Sequence, residues 1–274
     1  MNPYFSKILL AIWVLALPFS TMAANSSGEK QITLEVCLID NELFPLWRKP
    51  GEEHKSRGGI NIDLMRYIAA QTNLKIHWVR APFPRCLKLL QSGEVDALNV
   101  ASYNADRSQY GLYPFKDGKI DMTRRFKNDS YSAFVKQGSD IQFDGEKFTN
   151  IKHLPVAIEI GASIGYMLEN MNIKLLRLPN IEQAFNMLLA GRVSMVVTNS
   201  HNDAKVRNAP VKKLSPPVVN KPYYLMLSRQ FYEQHPILAQ NIWQASGQMQ
   251  QSYYSQVMSY YLAINNWPTE NTAK

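Results

Sequence analysis

The chain has 274 residues, of which 46% are hydrophobic, so it can bury a core in two modest lobes or in one large domain. Its formal charge is +8 at pH 7, but the basic residues are scattered rather than gathered in a stripe, and we therefore expect no nucleic-acid partner. The five histidines form no HxxxH or HExxH pattern and the two cysteines have no metal-site spacing, so we expect no metal or other cofactor.

The N-terminus has the pattern of a secretory signal peptide, spanning residues 1–23. Lys7 supplies a short basic region, an apolar run follows at residues 8–19, and small residues precede an expected cleavage site near Ala23. The apolar run is shorter than the ~20 residues that a membrane-spanning helix needs. We therefore expect cleavage of this segment and export of a soluble monomer to the periplasm.

The next predicted elements are a strand and a helix, separated by a long loop. Leu34–Ile39 (LEVCLI) is apolar and strand-like, and residues 40–59 are rich in Trp, Pro, Gly and charged side chains. Ile62–Gln71 carries apolar residues on one helical face, which predicts an amphipathic helix.

A degenerate repeat then organises the middle of the chain. The segment LLQSGEVDALNV at Leu89–Val100 recurs as LLAGRVSMVV at Leu188–Val197. Each copy follows an apolar strand-like run, Lys75–Val79 in the first case and Lys174–Leu178 in the second. Strand, amphipathic helix, glycine turn and buried strand make a βαβ unit, so we predict two Rossmann-like α/β lobes.

Two strand-like runs would carry the chain between these lobes, near Ser130–Lys136 and Asn220–Leu227. Lobe one is then expected to comprise residues 24–129 plus 224–274, and lobe two residues 130–223. A hinge of two strands permits the lobes to close around a ligand.

The two cysteines lie in elements that can be neighbours. Cys37 is in the first predicted strand, and Cys86 begins the helix of the first repeat. An exported protein meets an oxidising environment. Both a Cys37–Cys86 disulfide and two buried free thiols are consistent with the sequence.

A series of motifs resembles a known family. The motifs are GGINIDLMRYIA at Gly58–Ala69, then Phe83, LLQSGEVDAL, SYNADR ending at Arg107, and YPF at Tyr113–Phe115. They resemble the G-x-D-x-D-L, aromatic, S-G-x-x-D-A and S-x-T-x-x-R pattern of the polar amino-acid-binding family of periplasmic solute-binding proteins. These are the type-two, two-lobe receptors of ABC importers. The resemblance runs through Thr198, is closer in lobe one, and implies ligand capture without chemistry.

The resemblance implies a ligand site at the loops of lobe one that follow the strands. The expected residues are Arg107, Ser102, Phe83, Asp40 and either Trp47 or Phe44. Arg107 falls on the family's carboxylate-binding arginine, and a guanidinium can fork onto a carboxylate with two hydrogen bonds. Ser102 matches a loop serine, and Phe83 matches an aromatic residue that stacks on the ligand. Asp40 matches an acidic position that can meet a cationic group.

In lobe two, the resemblance implies an anion-binding turn and an aspartate for the ligand's ammonium group. The turn falls on Gly161-Ala162-Ser163, at a predicted helix start. Asn199 stands where the family has the aspartate, and an amide offers a hydrogen bond but no charge. Asp203, one helical turn away, is a possible substitute. We therefore expect a small carboxylate-bearing ligand, such as an amino acid or a derivative.

Other functions stay open at the level of the sequence. A receptor of this kind could serve an inner-membrane ABC permease, or it could present its closed form to a chemoreceptor or sensor kinase. GASIG at Gly161–Gly165 also matches the G-x-S-x-G nucleophile elbow of hydrolases, with Ser163 as nucleophile and Asp203 and His235 as its partners. A dehydratase on the same two-lobe fold is a further alternative, although no acid–base pair is visible.

Overall fold

In the computed structural model, residues 31–264 are described except for positions 44, 56–57, 152 and 207. The predicted signal peptide and Phe44 lie outside this part of the chain. The described strands are β1 Ile32–Ile39, β2 Leu74–Ala81, β3 Ala97–Ser102, β4 Phe115–Lys116, β5 Lys119–Ile120, β6 Lys127–Lys136, β7 Gln142–Phe143, β8 Phe148–Thr149, β9 Val156–Glu159, β10 Leu175–Leu178, β11 Met195–Asn199, β12 Val211–Lys213 and β13 Val219–Leu227. The described α-helices are α1 Ile60–Gln71, α2 Phe83–Ser92, α3 Gly165–Asn170, α4 Ile181–Leu189, α5 Arg229–Gln234, α6 Pro236–Ser252 and α7 Tyr254–Ile264.

The main sheet consists of two parallel halves joined by two antiparallel strands. Its order is β10-β9-β11-β6-β13-β3-β1-β2, and β12 pairs with β6 beside this path. β1, β2 and β3 are parallel to one another, as are β9, β10 and β11. We call the half around β1–β3 lobe one and the half around β9–β11 lobe two. The predicted two-lobed α/β fold with a two-strand hinge is confirmed, and the hinge strands β6 and β13 also join the two half-sheets into one hydrogen-bonded path.

Both copies of the repeat fold as predicted, because each has the same local signals. In lobe one the copy is β2–α2–β3, and in lobe two it is β10–α4–β11. Gly93 follows α2 with φ of 77°, and Gly191 follows α4 with φ of 71°. Such left-handed residues end helices, and glycine adopts this conformation without strain. Buried Leu90 and Leu188 hold corresponding positions on the two helices.

The hydrophobic core divides between the lobes. In lobe one, residues of α1, α6 and α7 pack on one face of the sheet, and α2 covers the other. In lobe two, α3 and α4 lie in two further clusters. The small hairpin β7–β8 also packs there through Phe143 and Phe148.

Two further contacts complete lobe one. Cys37 of β1 and Cys86 of α2 form a disulfide, with Cα atoms 5.7 Å apart and both residues buried. The C-terminal helix α7 returns to the start of α1, where the Tyr261 hydroxyl donates to Asp63 Oδ2 and accepts from Gly59 N–H, each at 2.9 Å.

Within the described residues, no helix is long and apolar enough to span a bilayer.

Candidate functional site

A cavity of about 690 Å³ lies between the lobes, at the carboxyl ends of β1, β3, β9 and β11. This is the edge of an α/β sheet at which ligands bind. The sequence-predicted residues that line it are Asp40, Trp47, Phe83, Ser102, Arg107 and Asn199. Ser163 does not line it and instead belongs to a more open pocket of about 470 Å³ that also includes Lys221.

Arg107 lines the cavity and bridges the two lobes. It lies in a 3-10 turn, Ala105–Gln109, that Asn104 caps by accepting a hydrogen bond from the Asp106 N–H. Its Nη1 donates to the carbonyl and hydroxyl oxygens of Ser102 at 3.0 and 2.9 Å, and its Nη2 donates to the Gly161 carbonyl at 2.7 Å. A guanidinium has five N–H donors, so these three bonds leave donors for a ligand carboxylate.

Phe83 packs between Arg107 and lobe two. The Arg107 guanidinium carbon lies 4.9 Å from the centre of the Phe83 ring, which is a cation–π contact. Gly161 of lobe two approaches the same ring so closely that a Cβ atom there would lie 3.0 Å from Phe83 Cδ1. Gly161 also has φ of 81°. A side chain at this position would therefore be strained and would push the lobes apart.

Ser102 and Ser163 meet across the lobes behind Arg107. The Ser102 hydroxyl donates to Ser163 Oγ at 2.7 Å, and both residues are buried. Lys221 of the hinge strand β13 donates to the Ser163 carbonyl at 3.1 Å and to its hydroxyl at 3.3 Å. Burial and the nearby Arg107 charge lower the pKa of Lys221. These contacts hold the lobes in a closed arrangement.

Asp40 and Trp47 form part of the wall contributed by lobe one. Asp40 follows β1 and is exposed, whereas Trp47 is only 6% exposed. The Trp47 indole N–H donates to the Asn41 carbonyl at 2.8 Å, which fixes the loop after β1. Asp40 can therefore meet a ligand from a solvated position, and Trp47 supplies an apolar surface.

The hinge strands supply cavity residues that sequence reasoning missed. They are Lys127, Asp129 and Tyr131 of β6 and Tyr223 of β13. Alternation of side chains along a strand puts positions 127, 129 and 131 on one face. The pattern was available in the sequence, but which face meets the cavity depends on pairing with β11 and β13.

Asn199 is the last residue of β11, and its side chain contacts the hinge strand β13. Its Nδ2 donates to the Tyr223 hydroxyl at 2.7 Å. Burial raises the pKa of Tyr223 well above its usual range, and Tyr131 and Asp129 add to the shift. Tyr223 is therefore a neutral phenol at physiological pH, and neither it nor Asn199 brings a charge to the cavity.

Val100 marks backbone strain in the cavity wall. It has φ of 63°, in the left-handed region that β-branched residues rarely adopt. It lies within β3, between the buried Asn99 and Ala101, and lines the cavity. Strained conformations of this kind persist where the surrounding structure imposes them, and they cluster at ligand-binding sites.

The cavity has an acidic balance, although the whole chain is basic. Among the described residues, its carboxylates are Asp40, Glu42, Asp129, Glu159 and Glu182, and its cations are Arg107 and Lys127. No group of three or more His, Cys, Asp or Glu side chains in the described part of the chain is arranged to hold a metal ion. The side chains present can instead bind a polar organic molecule through ion pairs and hydrogen bonds.

The residues of the hydrolase alternative are not brought together. Ser163 hydrogen-bonds to Ser102, Lys221 and, at 3.4 Å, the Tyr131 hydroxyl. Asp203 pairs with Lys213 at 2.5 Å, and His235 packs on Phe231 in lobe one.

A two-lobed α/β fold with a strand hinge and a polar cavity between the lobes defines a type-two periplasmic binding protein fold. The family model of bacterial extracellular solute-binding proteins, family 3, matches residues 36–263. The chain belongs to this family. A comparison with curated proteins found no match.

Solved structures share the fold at low sequence identity. An ancestral arginine-binding protein bound to glutamine is 22% identical with a TM-score of 0.64, and the match covers 84% of this chain and 97% of that one. The substrate-binding protein of an amino acid ABC transporter is 18% identical with a TM-score of 0.62, covering 84% and 99%. A histidine kinase sensor domain is 17% identical with a TM-score of 0.65, covering 85% and 96%.

Proposed function

We propose that this protein is a periplasmic receptor that captures a small carboxylate-bearing ligand, an amino acid or a derivative, and delivers it to an inner-membrane ABC permease. It acts as a monomer and without catalysis. The lobes comprise residues 24–129 plus 224–274 and residues 130–223. This division is supported by the core, since Phe126 and Tyr224 pack in lobe-one clusters while Tyr131 and Val218 pack in a lobe-two cluster.

The observation that carries the proposal is the position of Arg107. Its guanidinium lines the cavity, stacks on Phe83 and donates to both lobes. A fixed cation in a narrow cleft gains more from a ligand carboxylate than one in open water, because the local dielectric constant is lower. Its planar fork also matches carboxylate geometry. Ligand binding and lobe closure would then depend on the same side chain.

Export to the periplasm is supported by the predicted signal peptide at residues 1–23 and by the family, whose members are extracellular. The Cys37–Cys86 disulfide agrees with an oxidising compartment. Delivery to a permease is supported by the similarity to the binding protein of an amino acid transporter.

Sensing is the second candidate, because a histidine kinase sensor domain has the same fold. The two roles differ in what deletion of the gene changes. Loss of uptake of the bound ligand indicates transport, and an unchanged uptake rate with a lost transcriptional response indicates sensing.

A thermal-shift screen tests the ligand class. We expect stabilisation by one or more of the L-amino acids and none by the matching carboxamides, which lack only the carboxylate charge. A ligand at 100 times its Kd stabilises the folded state by ~2.7 kcal/mol, which is an easily measured shift. Hits confined to molecules without a carboxylate would contradict the proposal. Esterase substrates should show no turnover above that of a Ser163→Ala control.

A further inference from the structure

We infer that Asp129, on hinge strand β6, is the carboxylate that binds the ligand's ammonium group, in the role that Asn199 leaves without a charge. The inference rests on the proposed function, since it assumes an amino acid whose carboxylate meets Arg107. It makes Asp129 a specificity-determining residue for ligands that carry an α-ammonium group.

The first support is the position of the Asp129 carboxylate. Asp129 lines the cavity, and its side chain is only 6% exposed. Its Oδ1 accepts hydrogen bonds from the Ser200 hydroxyl at 2.7 Å and from the Ser130 N–H at 2.8 Å. Ser200 directly follows Asn199 in the sequence. The Asp129 carboxylate therefore contacts the residue next to Asn199, the position at which the family has a charged aspartate. The neighbouring strand can therefore supply what β11 does not.

The second support is the arrangement of hydrogen bonds around Asp129. The two donors hold Oδ1, so the carboxylate plane is fixed by lobe two and by its own strand. Oδ2 faces Lys127, whose Nζ lies 3.5 Å away. Charge-assisted N–H···O bonds are about 2.7–2.9 Å long, so this ion pair is a loose one. A carboxylate has about four acceptor sites, and an ammonium group from the cavity can share Oδ2 with Lys127.

Lys127 sets the charge that a ligand meets at this end of the cavity. Its side chain is 6% exposed, and its Nζ lies 5.5 Å from the centre of the Tyr223 ring. The pair Lys127–Asp129 is neutral as a whole, which allows it to be buried without a ligand. Removing only the cation would leave a stronger negative potential around Asp129.

The other cavity carboxylates are less suited to this role. Asp40, Glu42 and Glu182 are exposed, and exposed ion pairs contribute little because water screens them. Glu159 is half-buried and accepts from the Thr198 hydroxyl at 3.5 Å, on the wall of lobe two rather than at the hinge. The Asp129 side chain is only 6% exposed, and burial strengthens its interaction with an ammonium group.

Paired probes that differ only in the ammonium group test the inference. We would titrate L-glutamine against glutaramate, L-glutamate against glutarate, and L-arginine against 5-guanidinopentanoate, using calorimetry. For the pair that binds wild type, Asp129→Asn should reduce the preference for the amino acid by roughly 30-fold or more, since loss of one partner of a buried ion pair costs at least ~2 kcal/mol. The deaminated probe should keep its affinity within a few-fold.

Two further variants separate binding from folding. Glu233→Gln removes an exposed carboxylate that does not line the cavity and should leave the preference ratio unchanged. The double variant Lys127→Gln with Asp129→Asn removes both buried charges together. It should fold even where the single variant does not, and it should show the same loss of preference. Lys127→Gln alone should raise the preference for the amino acid.

The outcomes distinguish the inference from the function on which it depends. If no carboxylate-bearing probe binds wild type, the proposed function fails and the inference fails with it. If wild type binds a probe pair and the double variant keeps the wild-type preference ratio, Asp129 is only the structural partner of Lys127. In that case the receptor function stands and the inference is wrong.

Discussion

The two copies of the βαβ repeat have the same fold and different chemistry. In β2–α2–β3 and in β10–α4–β11, a left-handed glycine ends the helix and a buried leucine faces the sheet. After the last strand the copies diverge. The lobe-one copy leads to Arg107, a permanent cation, while the lobe-two copy ends in Asn199, a neutral amide. The shared pattern of helices and strands preserves the fold, while the loops after the strands can change independently.

The lobes also differ in covalent support. Lobe one has the Cys37–Cys86 disulfide between its first strand and its repeat helix. Lobe two holds its corresponding helix through noncovalent packing around Ala184, Phe185 and Leu188. Arg107, the cation proposed to bind the ligand, therefore lies in the lobe that has the disulfide.

Arg107→Ala should weaken ligand binding strongly. A ligand carboxylate in the closed cleft would lose its partner, at a cost of ~3–5 kcal/mol, or roughly 100- to 5,000-fold in Kd. Asn199→Ala, the matched change in lobe two, should cost only ~0.5–1.5 kcal/mol, because it removes one neutral hydrogen bond. Calorimetric titration with a ligand from the screen measures both. Equal losses of ligand affinity in the two variants would show that the two lobes contribute equally to binding.

Arg107→Lys sharpens the same test. An ammonium keeps the charge but cannot form the two-pronged contact of a guanidinium, so much of the affinity should still be lost. Wild-type binding by both Arg107 variants would show that the arginine contacts no ligand. Failure of both to fold would make its bonds to Ser102 and Gly161 structural.

The next largest effect is on stability, from replacing both cysteines with alanine. The bridged residues are 49 positions apart, and the chain-entropy relation gives ~4 kcal/mol for a loop of this size. Urea unfolding should show lobe one losing stability, with the signal of lobe two little changed. A shift below ~1 kcal/mol would mean that noncovalent packing supports the two lobes equally.

The smallest effect concerns closure, and lobe two offers a matched pair of glycines. Gly161→Ala should weaken ligand binding, because a Cβ atom would press on Phe83 and strain a φ of 81°. Gly191 has a similar φ of 71°, but the Cβ atom that Gly191→Ala adds would meet nothing within 4 Å. Both should lose ~1 kcal/mol of stability from the backbone, and only Gly161→Ala should weaken binding. Equal binding by the two variants would exclude the Phe83 contact as a part of closure.

Local patterns in the sequence were enough to predict the lobes. The predicted strand Leu34–Ile39 and helix Ile62–Gln71 differ from β1 and α1 by two residues at their starts. Periodicity and turn glycines act over one element at a time, so a single sequence contains them in full. Arg107, Ser102 and Phe83 were predicted from the resemblance to the family's motifs rather than from periodicity, and all three line the cavity.

The cavity residues on the hinge strands β6 and β13 could not be predicted in the same way. Lys127 and Asp129 belong to a strand whose partners, β11 and β13, lie about 60 to 100 residues further along the chain. Ser163 was assigned to the ligand, yet its hydroxyl accepts a hydrogen bond from Ser102 of the other lobe, so this contact depends on how the two lobes are arranged. Such positions follow from long-range pairing and from the conformational state, neither of which is encoded in a local motif.

The continuous sheet has a mechanical consequence. β6 and β13 are paired over five residues, Val219 with Tyr131 through Tyr223 with Lys127, while each also pairs with its own lobe. The twist between paired strands varies over roughly 10–35° and is larger in two-stranded ribbons, so we expect the lobes to rotate apart with the main-chain hydrogen bonds of the hinge kept. The free-energy difference between the open and closed forms would then come from a few side-chain contacts between the lobes. Amide protons of this ladder should exchange equally slowly in both forms, and they form an internal reference against which any loosening of the rest of the molecule can be measured.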